Sequence, residues 1–180
     1  MSRGLGDVYK RQWYQWPFDI RNVWYYGNYS ADSEGHIRTI SVLGNPLFFW
    51  ACVPATVYAF VRAVKRHSRT ALICVIGFLS AYLPWVLVPR CTFIYHYFTA
   101  VPFILIAFLI AYQRLEKTAS LRRVIFTKGA VTLTVGRILL LACVLVHILM
   151  FIAFYPVLTG TLTTQNYANA LEWLPSWFFI

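Results

Sequence analysis

Four long apolar runs, almost free of charge, constrain this chain more than any other feature of its sequence. They span residues 46–63, 70–88, 92–112 and 138–155. Each is close to the length of about 20 residues that an α-helix needs to cross a bilayer. A membrane β-barrel would instead show short segments of alternating apolar and polar residues, and this sequence lacks that pattern. The sequence therefore predicts an all-α integral membrane protein with four transmembrane helices.

The distribution of charge predicts the orientation of these helices. The chain is 59% hydrophobic and carries a formal net charge of +10. Most Lys and Arg residues lie in short connections after the first and third apolar runs, as topology-determining charges do, so these loops are expected to be cytoplasmic. Residues 13–45 and 156–180 then lie outside the cytoplasm, in a multi-pass protein of the cell membrane. The expected partner is the lipid bilayer; no motif favours nucleic acid.

The segments outside the apolar runs differ in character. Residues 1–12 are polar and lack the apolar core of a signal peptide, so we interpret them as a foreign leader before the tail of a longer protein. Residues 13–45 and 156–180 are rich in Trp and Tyr, which favour a membrane–water interface. Within the first of these, residues 36–42 alternate weakly and predict a short strand. The middle of residues 113–137 predicts an amphipathic surface helix.

Several single residues predict how the helices begin, bend and end. Pro46 is expected in the first helical turn, and Thr92 is expected to cap the third helix. Pro84 is expected to kink the second helix, and Pro156 to end the fourth. The four cysteines are scattered singly, without metal-ligand spacing, so we expect small buried side chains and neither a disulfide framework nor a metal site.

Arg90 is the only charge between the second and third apolar runs. At the start of a helix, backbone N–H groups and the helix dipole favour an anion, and a guanidinium matches the geometry of a phosphate. A lipid phosphate is therefore one expected partner of Arg90. The alternative is that Arg90 only extends to the head groups, as arginines near helix ends commonly do.

His96, between Tyr95 and Tyr97, is the second polar feature of this stretch. It can donate to a phosphate, act as a general base, or form a structural hydrogen bond. The structural role is the more common one, since polar side chains often join membrane helices. Carboxylates are scarce, and no nucleophile–base–acid set, glycine-rich phosphate loop or metal constellation is present in the sequence.

Four sequence pieces carry a resemblance to a known family. In order, they are WPFDIRNVWYY at 16–26, ISVLGNP at 40–46, PRCTFIYHYF at 89–98, and LTG at 158–160 with LEWLPSW at 171–177. With them the chain resembles the C-terminal membrane region of protein O-mannosyltransferases, especially the bacterial polyprenol-phosphate-mannose type. These enzymes belong to the multi-spanning GT-C glycosyltransferases.

The resemblance implies a reaction. Mannose would pass, with inversion, from a polyprenyl phosphate carrier to Ser or Thr of secreted or membrane proteins. In the family an Asp-Glu pair in the first outer loop supplies the carboxylate that activates the acceptor. This sequence contains no Asp-Glu dipeptide. The resemblance therefore implies no catalytic residue and no cofactor in this chain, which would need the N-terminal part of the same enzyme to be active.

The resemblance also implies a donor site. The residues expected at the donor phosphate are Arg90, His96, Tyr95 and Tyr97. The residues expected to line the outer face of the site are Trp16, Arg21, Asn45, Glu172 and Trp173. A competing interpretation is a non-catalytic four-span subunit or a small transporter. A transporter should show inverted repeats, and no internal repeat is visible.

Overall fold

Helices dominate the structure, and short strands flank them. The computed structural model describes residues 13–28, 35–88, 92–128 and 131–179. The predicted leader, residues 1–12, and Arg90 lie outside the described residues. The α-helices are α1 Pro46–Arg66, α2 Arg69–Tyr82, α3 Val101–Glu116, α4 Ala119–Arg122, α5 Val135–Thr159 and α6 Gln165–Ala170. The strands are β1 Val23–Asn28, β2 His36–Val42, β3 Val124–Lys128, β4 Val131–Thr134 and β5 Thr163–Thr164. Short 3-10 helices cover Trp13–Phe18, Leu83–Leu87 and Ile94–Ala100.

Among the described residues, four helical segments are long and apolar enough to cross a membrane, which confirms the predicted fold class. They are Pro46–Arg66, Arg69–Leu87, Ile94–Glu116 and Val135–Thr159. The first and third continue past their predicted ends because basic residues occupy their last turns, where a cation is favoured near the helix C-terminus.

Prolines shape the ends of the membrane helices. Pro46 starts α1, as predicted, and Pro84 lies where the α-helix α2 gives way to the 3-10 helix Leu83–Leu87. Two predictions are wrong. The third span begins at Ile94 with Phe93 as its N-cap, so Thr92 does not cap it. Pro156 lies inside α5, which ends instead at Gly160, a residue with a left-handed backbone (φ 73°) that closes the helix.

The first three spans pack closely through small residues. Ala59, Ala71 and Ala107 are fully buried where α1, α2 and α3 meet, which lets the helix backbones approach one another. Gly77 of α2 faces Phe103 of α3, and a Cβ at Gly77 would lie 2.1 Å from the Phe103 ring. In contrast, α5 packs mainly against β2, and most of its surface is not buried by the rest of the chain.

Two small sheets flank the helices. Strands β1, β2 and β5 form an antiparallel sheet at the end of the bundle where α1 begins and α5 ends, and β2 is the predicted strand 36–42. At the other end, β3 and β4 form a hairpin. The prediction of an amphipathic helix in this basic connection is therefore wrong beyond the four residues of α4. Its Val-Ile-Phe-Thr run has strong strand propensity, which outweighs the helical pattern.

Candidate functional site

An aromatic cluster joins the interfacial segment to the second and third spans. The buried Trp16, only 3% exposed, stacks on His96 with ring centroids 6.1 Å apart. Tyr82, Trp85 and Tyr97 surround it, with centroids 6.2, 6.5 and 6.4 Å from that of Trp16. We call these five residues the Trp16 cluster. The cluster brings together three predicted site residues, Trp16, His96 and Tyr97, although 80 positions separate Trp16 and His96 in the chain.

Within the described part of the chain, His96 is hydrogen-bonded through one ring nitrogen. Its Nδ1 lies 3.2 Å from the backbone N of Phe93 and 3.0 Å from the Phe93 carbonyl oxygen, so the tautomer decides which of the two it bonds. Its ring centroid is 4.0 Å from that of Trp85 and 4.3 Å from that of Tyr95. No described residue hydrogen-bonds Nε2. If Nδ1 accepts from the Phe93 N–H, Nε2 carries the proton and can donate to an anion.

A narrow cleft separates the start of the third span from the interfacial segment. Trp16, Arg21 and Asn22 line one side, and Thr92 and Phe93 line the other. Its volume is ≈ 10 Å³, about enough for one water molecule, so it cannot enclose a sugar. The cleft places a cation, Arg21, beside the residues that follow Arg90 in the sequence.

Asn45, predicted to line the site, has a structural role. Its Oδ1 accepts a hydrogen bond from the Phe48 N–H at 3.3 Å and so caps α1. Its Nδ2 donates to the carbonyl oxygen of His147 in α5 at 3.2 Å. Asn45 therefore ties α1 to α5 and lies outside both the Trp16 cluster and the lining of the cleft.

Glu172 and Trp173 hold the C-terminal tail. The Glu172 carboxylate accepts a hydrogen bond from the Phe179 N–H at 2.9 Å. Trp173 packs edge-on against Phe154 and stacks on Trp177, with centroids 5.4 and 6.3 Å apart. Both residues thus contact an apolar core that contains Phe154, Trp177 and Phe179. The structure does not bring them into the Trp16 cluster.

The tail is bound to the interfacial segment through residues that the sequence analysis did not select. Asn22 and Phe178 exchange two hydrogen bonds: the Asn22 side-chain amide donates to the Phe178 carbonyl, and its Oδ1 accepts from the Phe178 N–H at 3.0 Å. The buried indole of Trp177 donates to the Asp19 carbonyl at 2.8 Å. These contacts hold residues 19–22, which include Arg21 and Asn22 of the cleft lining.

Asp19 is the most unusual residue of this region. Its side chain is fully buried, and its backbone lies in the left-handed region (φ 50°). Oδ1 accepts a hydrogen bond from the Gly44 N–H at 3.3 Å, whereas Oδ2 has no partner among the described residues. Burial raises the pKa of the Asp19 carboxyl to about 7. Its signal in the sequence is that it is the one acid of the aromatic run 13–26.

The stability of the protein should depend on pH through Asp19. Folding raises the pKa of Asp19 from 3.8 to about 7. As pH rises, the unfolded chain therefore loses this proton at a lower pH than the folded protein does. Stability is therefore expected to fall as pH rises from about 4 to about 7, by up to about 1.4 kcal/mol per pH unit. Thermal unfolding of the detergent-purified protein, followed by tryptophan fluorescence at about pH 5 and about pH 8, measures the effect.

Asp19→Asn should abolish this pH dependence, because the side chain no longer titrates. Glu172→Gln is the matched control, since it removes a carboxylate at the same end of the bundle without changing Asp19. A pH slope that persists unchanged in Asp19→Asn would assign it to another group.

The described residues of this region include groups that can bind an anion. They provide a cation at the cleft, an available imidazole nitrogen and a stacked aromatic surface. Among them no group of three His, Cys, Asp or Glu side chains is placed to hold a metal ion. Cys52 and Cys74 are buried, as predicted, whereas Cys143 is only partly buried. The arrangement suits an anion at a membrane interface, where aromatic rings and an arginine both favour the head-group level.

Relatives of known description match almost the whole chain. It is 27% identical to a polyprenol-phosphate-mannose–protein mannosyltransferase of Corynebacterium glutamicum, over 98% of this chain. It is 25% identical to the protein of the same description in Mycobacterium tuberculosis, again over 98% of the chain. The chain spans about a third of the length of these curated relatives, 33% in each case.

The fold is shared with a solved membrane enzyme. The chain superimposes on the S. cerevisiae protein O-mannosyltransferase Pmt1-Pmt2 complex bound to the sugar donor, with a TM-score of 0.68 and 22% sequence identity. The match covers 93% of this chain and 23% of that one. The family model of the C-terminal four-transmembrane region of protein O-mannosyltransferases matches residues 60–177. The chain therefore belongs to the protein O-mannosyltransferase family and corresponds to its C-terminal four-transmembrane region.

Proposed function

We propose that this chain is the donor-side membrane region of an enzyme that moves mannose from a polyprenyl phosphate carrier to Ser or Thr of secreted or membrane proteins. Family membership and the descriptions of the bacterial relatives support this function. The observation that carries the donor-side assignment is the meeting of the Trp16 cluster, Arg21 and the start of the third span at one end of the bundle. Arg90 is two positions before Thr92 in the sequence.

The proposed orientation places this end outside the cytoplasm. The basic residues at the ends of α1 and α3 then face the cytoplasm, in agreement with the positive-inside rule. The aromatic segments 13–45 and 156–180 lie at the outer interface. A polyprenyl carrier presents its phosphate at this level while its chain stays in the bilayer.

The proposed chemistry assigns binding and charge stabilisation to this chain. The acceptor hydroxyl oxygen bonds to C1 of mannose, the bond from C1 to the phosphate oxygen breaks, and the hydroxyl proton passes to a carboxylate base. We place that base in the Asp-Glu pair that the resemblance implies upstream of this chain. The leaving polyprenyl phosphate takes the electron pair and gains one negative charge. Arg90, Arg21 and His96 Nε2 are the proposed groups that stabilise this charge.

A chimera tests the proposed function. This chain replaces the corresponding C-terminal third of the C. glutamicum relative in a strain that lacks its own enzyme. Mannosylation of secreted proteins is then measured by mass spectrometry, and transfer from polyprenyl phosphate mannose is measured in isolated membranes. We expect transfer to be restored by the chimera and absent when the chain is produced alone.

The chimera also separates the competing functions. A non-catalytic subunit or a small transporter predicts a folded chimera without transfer. Fluorescence-detected size exclusion and donor binding check that the chimera is folded. A monodisperse chimera that neither binds donor nor transfers mannose would contradict the proposal.

A further inference from the structure

A second cavity lies at the end of the bundle opposite the Trp16 cluster. It opens between the C-terminal ends of α1 and α3 and has a volume of ≈ 460 Å³, within the usual range of ligand sites. Its lining combines one aromatic residue with five basic ones: Tyr58, Arg62, Lys65, Arg66, Arg114 and Lys117. The lining contains no Asp or Glu among the described residues. Two helices that are distant in the sequence thus direct their cations into one space.

The helix dipoles explain only part of this charge. Lys65 and Arg66 lie in the last turn of α1, and Arg114 lies in the last turn of α3, where cations are favoured by the carbonyl ends. Arg62 lies one turn earlier and is half-buried, so its position is not explained in this way. Gathering five like charges costs repulsion unless an anion is present to offset it. An anion bound in this cavity would therefore be attracted by all five cations.

The cationic surface continues into a neighbouring cavity of ≈ 650 Å³. The two share Lys117, and the second adds Arg122 and Arg137. Glu116 is the one acid in that lining among the described residues. The Arg137 guanidinium is partly engaged, since it donates to the Thr132 carbonyl at 2.6 Å. The first cavity is thus the more purely cationic of the two.

The position of the cavity indicates which anion it meets. The 21 residues of α1 span about 31 Å, roughly the thickness of the hydrocarbon core of a bilayer. With one end of α1 at the outer interface, the other end lies at the level of the opposite head groups. Arginine forks match phosphate oxygens, and basic pockets between membrane helices are known to hold anionic head groups.

We propose that the cavity between the ends of α1 and α3 binds the phosphate head group of an anionic lipid. This site is separate from the donor site and does not depend on mannosyl transfer. Arg62, Arg66 and Arg114 would contact the phosphate, and Tyr58 would lie against the glycerol or the first part of the acyl chains. The lipid would fasten α1 to α3 at the end of the bundle that lacks the Trp16 cluster.

Native mass spectrometry of the full-length protein in detergent tests this site. The protein is titrated with phosphatidylglycerol and, separately, with phosphatidylcholine. The unmodified protein should bind phosphatidylglycerol with clear preference. The triple variant Arg62→Gln/Arg66→Gln/Arg114→Gln should bind it roughly tenfold to 100-fold more weakly. The control variant Arg69→Gln/Arg123→Gln/Lys128→Gln removes the same charge outside this cavity and should bind nearly as well as the unmodified protein.

Further arms identify the source of the phosphate and guard against misfolding. Inorganic phosphate and glycerol phosphate are added as soluble competitors, each at the concentration of the lipid. Neither should displace phosphatidylglycerol from a lipid site. Arg62→Lys/Arg66→Lys/Arg114→Lys keeps the charge and should retain intermediate affinity, which a general folding defect would not allow. Equal losses in the cavity and control variants would overturn the proposal, as would an absence of preference for phosphatidylglycerol. Displacement of phosphatidylglycerol by inorganic phosphate at matched concentration would overturn the lipid assignment and identify the ligand as a soluble phosphate.

Discussion

Replacing Arg90 with alanine in the full-length enzyme is expected to slow mannosyl transfer by about 100-fold, the usual cost of removing a group that stabilises developing charge. In the proposed reaction the donor is a phosphodiester with one negative charge. The departing polyprenyl phosphate carries nearly two negative charges in the transition state. A guanidinium beside it stabilises the transition state more than the bound donor. The effect of Arg90→Ala should therefore appear mainly in kcat and less in KM for the donor.

Two companion variants separate this role from a structural one. Arg90→Lys keeps a charge without the bidentate fork and should recover part of the activity. Arg123→Ala removes an exposed arginine from the opposite end of the bundle and should transfer mannose at the normal rate. Initial rates with polyprenyl phosphate mannose in membranes, corrected for the amount of enzyme, provide the comparison. Normal transfer and normal donor binding in Arg90→Ala would mean that Arg90 only extends to the head groups.

The membrane helices could be predicted from the sequence because their determinants are local. A span in lipid must satisfy its own backbone hydrogen bonds, so a long uncharged run has few alternatives to a helix. The effects of Pro46 at the start of α1 and of Pro84 at the end of α2 could be predicted because they too are local. The Pro156 prediction was wrong because membrane helices tolerate an internal proline. The helix continues to Thr159 and is closed by Gly160, which adopts a left-handed backbone.

The candidate site could be predicted only in part. Trp16 and His96 were selected from the sequence, and the structure stacks them. The roles of Asn45 and Glu172 depend on hydrogen bonds to His147 and Phe179, which neither spacing nor composition reveals. The contacts that bind the tail could not be predicted for the same reason, since Asn22 and Phe178 are 156 positions apart.

Trp16→Ala should strongly lower the stability of the protein. The indole is 3% exposed and packs against side chains from both the second and third spans. Truncating a buried tryptophan typically costs about 3–5 kcal/mol. For a protein of this size the corresponding fall in Tm is roughly 10 °C. Thermal unfolding of the purified 180-residue chain, with an intrinsic fluorescence or a size-exclusion readout, measures it.

Tyr14→Ala is the matched control for Trp16→Ala, because Tyr14 lies in the same 3-10 helix and is 52% exposed. It should lower Tm by little. Trp16→Phe keeps an aromatic face against His96 and should give an intermediate Tm. If the cluster also positions residues 92–96, the folded Trp16→Phe enzyme should show a raised donor KM with little change in kcat, the reverse of the pattern expected for Arg90→Ala. A Trp16→Ala protein that unfolds at the same temperature as Tyr14→Ala would show that the cluster does not join the interfacial segment to the bundle.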